Sequence, residues 1–158
     1  MSIRVQQEDF DVGIELQHLT MGKHQIGGVC SFVGLVRDMV STEKSGNTIN
    51  TMTLEHYPGM TERALKKIED EAWEMWPLAA SLIIHRYGKL KPGDQIVLVA
   101  AASAHRKAAF EACHYLIDWL KTKAPFWKFE ETARGGKWVE ARDSDNVAAA
   151  RWNASDIG

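Results

Sequence analysis

Two long helical segments, each ended by a proline, constrain the fold of this chain most strongly. The first is predicted over 61–76, with Thr61 as its N-cap and Pro77 directly after it. Its apolar residues recur at the spacing of one helix face: Leu65, Ile68, Ala72 and Met75. The second is predicted from Ser103, as N-cap, to about residue 123, and Pro125 ends it.

Short β-branched and aromatic runs surround these helices and predict strands over 3–5, 27–36, 51–56, 81–87 and 95–101. A weak helical pattern covers 12–21. The run 27–36, GGVCSFVGLV, is expected to be a buried strand, and 37–48 an exposed, mobile loop. The turn sequence KLKPGD joins two strands, and 127–130 is expected to pair with 137–139 around Gly135-Gly136. The tail after this hairpin is expected to be helical at best.

Hairpin-connected strands with two inserted helices predict an α+β fold with a mainly antiparallel sheet. The 158 residues favour one domain over 1–158. A strict alternation of strands and helices is missing, and so is a glycine-rich phosphate loop. These absences disfavour a nucleotide-binding α/β enzyme.

The composition excludes several functional classes. The formal net charge is −2, which gives no overall attraction to nucleic acid or membranes. No apolar run is long enough to span a bilayer, and we expect a cytoplasmic protein. Cys30 and Cys113 lack the spacing of a metal motif, and so do the histidines. We therefore expect no metal and reduced core thiols, with a disulfide or a reactive thiol as alternatives.

The start of the second helix, SAHRKAAFEA, places His105, Arg106 and Lys107 in its first turn. Cations are unfavourable at the positive end of a helix dipole, by about 0.3–1 kcal/mol each when exposed. A bound anion would resolve this conflict, because backbone N–H groups and the cationic side chains would converge on it. The alternative is a solvated basic turn.

The stretch LKTKAPFWKFE, 120–130, concentrates lysines around a proline and two aromatic residues. Lys121 lies in the last turn of the helix, and Lys128 follows Pro125 in extended chain. The two lysines are expected to face each other across this corner and to lower each other's pKa. Phe126 and Trp127 would exclude water from them, whereas Lys123 is expected on another face of the helix. The alternative is a pair of surface lysines packed over aromatic rings.

Arg106 and Lys121 lie on one stripe of the second helix, about 22 Å apart along its axis. A single small ligand cannot contact both. The spacing therefore indicates either a large ligand or a site shared between two copies of the chain. Arg37, at the end of a strand beside a loop, is a further candidate for holding a carboxylate or a phosphate. The pair Glu55-His56 is expected to be structural.

Six motifs, in this order, resemble the large catalytic subunit of molybdopterin synthase. They are TLEHYPGMTE (53–62), WPL (76–78), IIHRYGKLKPGD (83–94), SAHRKAAFEA (103–112), LKTKAPFWKFE (120–130) and WVEAR (138–142). The resemblance covers most of the chain from about 28 to 152. It is weaker in the first 25 residues or so and in the loop 38–48.

The resemblance implies an α+β fold of the hammerhead type and a sulfurtransferase of molybdenum cofactor biosynthesis. Such an enzyme converts cyclic pyranopterin monophosphate to molybdopterin by installing two dithiolene sulfurs, without a resident cofactor. The sulfur arrives as a thiocarboxylate on the C-terminal Gly-Gly of a small ubiquitin-like partner. The assembly implied is a heterotetramer, in which a central homodimer of large subunits carries one small subunit at each end.

The resemblance also assigns pocket residues by position in the motifs. Lys121 and Lys128 would be catalytic, and the substrate-binding residues would be Phe32, Arg37, His105, Arg106, Glu130 and Arg142. Ile117 stands where some relatives have Met, which keeps an apolar wall. The hypothesis is that His105 and Arg106 hold the phosphate, with Arg37 or Arg142 assisting, and that the lysines serve sulfur transfer. Which lysine does what stays open.

Two other functions compete with this one. An adaptor that binds a ubiquitin-like tail would need a basic groove, but neither the phosphate cluster nor the paired lysines. A phosphate-ester hydrolase would need a metal or a nucleophile motif, which the sequence lacks.

Overall fold

A computed structural model describes residues 2–37, 49–132, 135–139 and 152, in part by backbone alone. Eight strands and three helices follow one another in these ranges. In chain order they are β1 (Ser2–Gln6), α1 (Val12–Thr20), β2 (Gly28–Leu35), β3 (Ile49–His56), α2 (Met60–Met75), β4 (Leu78–Arg86), β5 (Gly88–Leu90), β6 (Gln95–Ser103), α3 (Arg106–Lys123), β7 (Phe126–Thr132) and β8 (Gly135–Val139).

The first sheet has the strand order β1-β4-β6-β2, in which β1 and β4 are parallel and the other pairs antiparallel. Strands β4 and β6 are apolar on both faces, as expected for central strands covered on both sides. Ile83 and Val99 face α2 and α3, whose Leu65 and Leu116 are fully buried. The opposite face packs against α1 through residues such as Leu82.

The second sheet has the order β5-β3-β7-β8, with antiparallel pairing throughout. Val36, Met52, Leu54 and Leu90 form its small core. The predicted α+β fold with mainly antiparallel strands is therefore confirmed. The KLKPGD connection is more than a turn, however, because Gly88–Leu90 pairs with β3 in this second sheet. Among the described residues, no helix is long and apolar enough to cross a membrane.

Both predicted N-caps were wrong by two residues. Helix α2 is capped at Gly59, whose φ of 84° suits glycine, and the Glu62 carboxylate accepts the Gly59 N–H at 2.6 Å. Helix α3 has His105 as its N-cap. Ser103 instead ends β6 and donates its hydroxyl to the carbonyl of Pro77 at 2.8 Å. Thr and Ser side chains serve tertiary contacts here, which local patterns do not reveal.

Strand β2 was expected to be buried, and this was wrong. It is an edge strand among the described strands, pairing with β6 on one side. Val29, Phe32 and Leu35 are 39%, 39% and 57% exposed. The apolar run therefore presents a hydrophobic edge on this chain.

The hairpin of β7 and β8 is confirmed, with Lys128 opposite Val139 and Glu130 opposite Lys137. Gly135-Gly136 begins β8 and does not form the turn. The loop 38–48 and the tail, Trp152 excepted, lie outside the described residues. Trp152 donates its indole N–H to Asp118 at 2.7 Å, which joins this part of the tail to α3.

Candidate functional site

The N-terminus of α3 presents cations without acidic neighbours in the first turn. His105 has extended backbone, at φ −126° and ψ 144°, and its side chain makes no capping hydrogen bond. His105, Arg106 and Lys107 are all exposed. Lys107 lies 4.0 Å from Glu111, one turn further along the helix. His105 and Arg106 thus stand at the positive end of an 18-residue helix, where an anion would be favoured.

Gly27 fixes the approach of this helix end to the sheet, a role that the sequence interpretation missed. Its N–H donates to the carbonyl of Ser103 at 2.9 Å. A Cβ at Gly27 would lie 2.0 Å from the carbonyl oxygen of Ala104, and one at Gly28 would lie 3.7 Å from the Cα of Arg106. A side chain at Gly27 would therefore push the residues before α3 away from the sheet. The signal in the sequence was the Gly-Gly pair that opens β2.

The C-terminus of α3 turns directly into β7 at Pro125. Ala124 caps the helix and donates its N–H to Leu120, and the Phe126 N–H then donates to the carbonyl of Ala124 at 3.0 Å. This hydrogen bond closes a three-residue turn around Pro125. The predicted sequence of helix end, proline corner and extended return is therefore confirmed.

Lys121 and Lys128 flank this corner, and both are exposed. Lys128 lies in β7 opposite Leu54. The Lys123 ammonium lies 5.4 Å from the centroid of the Trp119 ring, a cation–π contact on the helix surface. Lys123 is thus the surface residue that was predicted.

The corner is packed from behind by Thr61 and His85, for which the sequence analysis predicted no such contact. Thr61 is fully buried and donates its hydroxyl to the carbonyl of Pro125 at 3.1 Å. The ring of His85 stacks on Phe126, with centroids 3.7 Å apart and planes inclined by 18°. Burial lowers the pKa of His85 to about 4, and the nearby positive charges of Lys128 and His56 add to this effect. His85 is therefore a neutral imidazole at neutral pH.

The sequence-predicted cations fall into two groups at opposite ends of the first sheet. Gly28 pairs with Ser103, next to Arg106, while Leu35 pairs with Gln95 at the other end. Arg37 follows Leu35 by two residues. At the rise per residue of a β-strand, it lies about 30 Å from Gly28 along the chain. Helix α3 carries Lys121 back to that same end, about 22 Å from Arg106.

Arg37, Lys121 and Lys128 therefore share one end of the first sheet, because Val36 packs with Leu54, the partner of Lys128. His105 and Arg106 lie at the other end. Arg37 is therefore too far from His105 and Arg106 of the same chain to contact a small ligand that they hold, and its assisting role stays a prediction. Phe32 lies between the two groups on the exposed edge of β2, paired with Val99.

The remaining candidates divide as follows. The backbone of Glu130 lies in β7, but its side chain and the whole of Arg142 lie outside what the structure describes. Ile117 is buried in the main core. His56 lies 3.8 Å from Glu62 and 4.2 Å from the Tyr87 ring, in keeping with a structural role for the Glu55-His56 strand end.

Cys30 and Cys113 differ in burial, and the Cys113 thiol is not arranged for nucleophilic chemistry. Both are free thiols, and burial beside Cys30 raises the pKa of the Cys113 thiol, which donates to the carbonyl of Val99 at 3.8 Å. Within the described ranges, no group of three or more His, Cys, Asp or Glu side chains is placed to hold a metal ion.

Comparison with known proteins identifies the family. The family model described as "MoaE protein" matches residues 5–123. The chain belongs to the MoaE family. A MoaE relative from Ralstonia nicotianae, named molybdopterin synthase catalytic subunit, is 55% identical over 151 residues, covering 96% of this chain and 84% of the relative.

Solved MoaE structures share the fold. The molybdopterin biosynthesis MoaE protein from Burkholderia ambifaria superposes with a TM-score of 0.80 at 47% identity, covering 97% of this chain and 99% of that one. A chain from the Helicobacter pylori complex of subunits 1 and 2 of molybdopterin-converting factor has a TM-score of 0.70 at 22% identity, covering 89% and 90%. At that identity the second likeness concerns the fold alone.

Proposed function

We propose that this chain is the catalytic subunit of a molybdopterin synthase and transfers sulfur to cyclic pyranopterin monophosphate. The sulfur donor is the C-terminal thiocarboxylate of a small ubiquitin-like subunit, and the product is the dithiolene of molybdopterin. Membership of the MoaE family supports an enzyme of molybdenum cofactor biosynthesis. A cytoplasmic reaction stays a prediction, and so does a single domain over 1–158.

One observation carries this proposal: exposed cations stand at both ends of α3, at positions that suit anionic reactants. Both the cyclic phosphate and the thiocarboxylate are anions, and their approach costs electrostatic energy unless cations offset it. His105 and Arg106 at the helix N-terminus suit the phosphate. Lys121 and Lys128 at the proline corner suit the thiocarboxylate and the oxyanion that develops during transfer.

The separation of the two groups supports a site shared between two copies of the chain. About 22 Å along α3 is too far for one small substrate to contact Arg106 and Lys121 of the same chain. A second copy docked against the hydrophobic edge of β2 would bring its Arg106 end toward the first copy's lysine corner. The exposed Val29, Phe32 and Phe110 support such an interface, since large apolar side chains gain most when a partner covers them. In this arrangement Arg37 and the lysines of one chain meet His105 and Arg106 of the other.

The proposal is tested by Lys121→Ala, with Lys123→Ala as the matched control two residues away. Lys121→Ala should abolish dithiolene formation, because it removes a proposed catalytic ammonium. It should leave binding of the small subunit intact, because the change is a single one at an exposed position. Lys123→Ala should retain near-normal turnover, since Lys123 contacts the Trp119 ring. Product formed per folded enzyme is measured by mass spectrometry. Near-normal turnover of Lys121→Ala would contradict the proposed role.

A further inference from the structure

The three-residue corner 124–126 determines how the two lysines are oriented relative to each other. Ala124 and Pro125 alone separate the end of α3 from the start of β7. The ammonium groups sit on long side chains, but their Cα positions and directions follow from the helix on one side and the strand on the other. Whatever holds the corner therefore controls where Lys121 and Lys128 can converge.

Thr61 holds the tip of this corner through a contact between distant parts of the chain. Its hydroxyl donates to the carbonyl of Pro125, 64 residues further along, and accepts the N–H of Tyr57 at 3.1 Å. The hydroxyl is not needed to cap α2, because the Glu62 carboxylate does so at Gly59. Thr61 is fully buried, so water cannot replace it as the donor to Pro125 without rearrangement.

His85 holds the first residue of β7. Its ring lies flat against Phe126, and its orientation is fixed because Nδ1–H donates to the carbonyl of Arg86 at 2.8 Å. The His56 ring lies 6.5 Å from the Phe126 ring and also contacts Tyr87. Phe126 is thereby fixed by rings from two other strands, two residues before Lys128.

We propose that Thr61 and His85 are positioning residues, which hold the Pro125 corner so that Lys121 and Lys128 face one reacting centre. They act through the backbone of Pro125 and the ring of Phe126, and neither touches substrate. This inference rests on the proposed function for its kinetic consequence. Its geometric consequence, the convergence of the two ammonium groups, is independent of that function.

The test compares Thr61→Val with Thr61→Ser and with Ser81→Ala in the full assembly. Thr61→Val keeps the volume and loses the hydroxyl, whereas Thr61→Ser keeps the hydroxyl. Ser81→Ala is the matched control, because Ser81 is also buried and hydroxyl-bonded, to Glu69 and Trp73, away from the corner. Two readouts are made on each variant. The first is the pair of kinetic constants kcat and KM. The second is the yield of a Lys121–Lys128 cross-link, which is formed by a short reagent with two amine-reactive groups and mapped by mass spectrometry.

Thr61→Val should lower kcat by about 10-fold or more with little change in KM for the small subunit, because a misplacement near 1 Å can cost about 100-fold. It should also lower the cross-link yield, and Thr61→Ser should restore both. Ser81→Ala should lower thermal stability while leaving kcat and cross-linking unchanged. His85→Phe, which keeps a flat ring against Phe126, should retain more kcat than His85→Leu.

The inference is overturned if Thr61→Val behaves as Ser81→Ala does, or if the folded wild-type chain gives no Lys121–Lys128 cross-link. A wild-type assembly that cross-links in a Thr61-dependent way but transfers no sulfur would support the positioning and refute the proposed function. Loss of activity through misfolding is recognised by the thermal unfolding of each variant. If Thr61→Val misfolds, the inference is decided by two other results: whether Thr61→Ser keeps wild-type kcat and cross-linking, and whether His85→Phe retains more kcat than His85→Leu.

Discussion

The buried His85 predicts a specific dependence of stability on pH. Its pKa is about 4 in the folded chain against 6.5 for an ordinary histidine. The folded state therefore holds fewer protons than the unfolded state between these values. The stability that a neutral His85 provides is fully present above pH 6.5, and it is lost as the pH falls from 6.5 toward 4.

The magnitude follows from the two pKa values. Their difference of about 2.5 corresponds to about 3 kcal/mol in the free energy of unfolding, since each pKa unit is worth about 1.4 kcal/mol. About 2 kcal/mol of this should be lost already at pH 5, where most carboxylates are still ionised. The physical cause is desolvation of the imidazolium, which is buried against the Phe126 ring, with Lys128 and His56 close by.

The assay is urea unfolding of the wild type and of His85→Phe at several values between pH 7.5 and pH 5. The difference between their free energies of unfolding should shift by about 2 kcal/mol in favour of the variant as the pH falls. Taking the difference cancels the titration of the other histidines. Ile83→Val, a buried change on the same strand, is the control, with a pH-independent loss of about 1 kcal/mol. A difference between wild type and His85→Phe that does not change with pH would refute the reasoning.

Two further predictions concern His105 and Arg106 at the N-terminus of α3, the residues proposed to hold the phosphate. Mixing a Lys121→Ala chain with an Arg106→Ala chain should restore about a quarter of wild-type activity. The reason is that half the dimers are hybrids, and each hybrid has one intact shared site out of two. If mass spectrometry shows that hybrids form and no activity returns, a shared site is excluded. Gly27→Ala should destabilise the fold by about 1–3 kcal/mol and raise KM for the pterin, because its Cβ would lie 2.0 Å from the Ala104 carbonyl. Gly28→Ala, with its nearest neighbour at 3.7 Å, should do neither, and equal effects of the two changes would contradict the account.

Element type and order could be predicted from the sequence because periodicity and proline positions are local signals. Helix α3 and the corner after it illustrate this, since Pro125 marks both the helix end and the strand start. The N-caps could not be predicted, because Thr61 and Ser103 donate to carbonyls that come close only in the folded chain. The prediction that β2 is buried failed for a related reason. An apolar run indicates that a partner covers it, but not whether that partner belongs to the same chain.

The sequence singles out the residues of the candidate site, whose roles stay predictions, but it does not give their arrangement in space. The cations of SAHRKAAFEA and LKTKAPFWKFE stand out by position relative to a helix end. That Arg37 joins Lys121 and not Arg106 depends on the register of β2 against β6, which no local pattern encodes. The contacts of His85 and Thr61 with the corner were not predicted, because a lone histidine has no distinctive spacing and Thr61 was interpreted as an N-cap.

The most direct test of the central claim is a single turnover with the wild-type chain, its thiocarboxylated small subunit and cyclic pyranopterin monophosphate. Mass spectrometry of the pterin should show the gain of two sulfur atoms in the product, and two small subunits per pterin should return with a C-terminal carboxylate, since each thiocarboxylate delivers one sulfur. The gain should vanish with Lys121→Ala and persist with Lys123→Ala. A wild-type chain that binds the small subunit but leaves the pterin without added sulfur would contradict catalysis and indicate an adaptor for the ubiquitin-like tail.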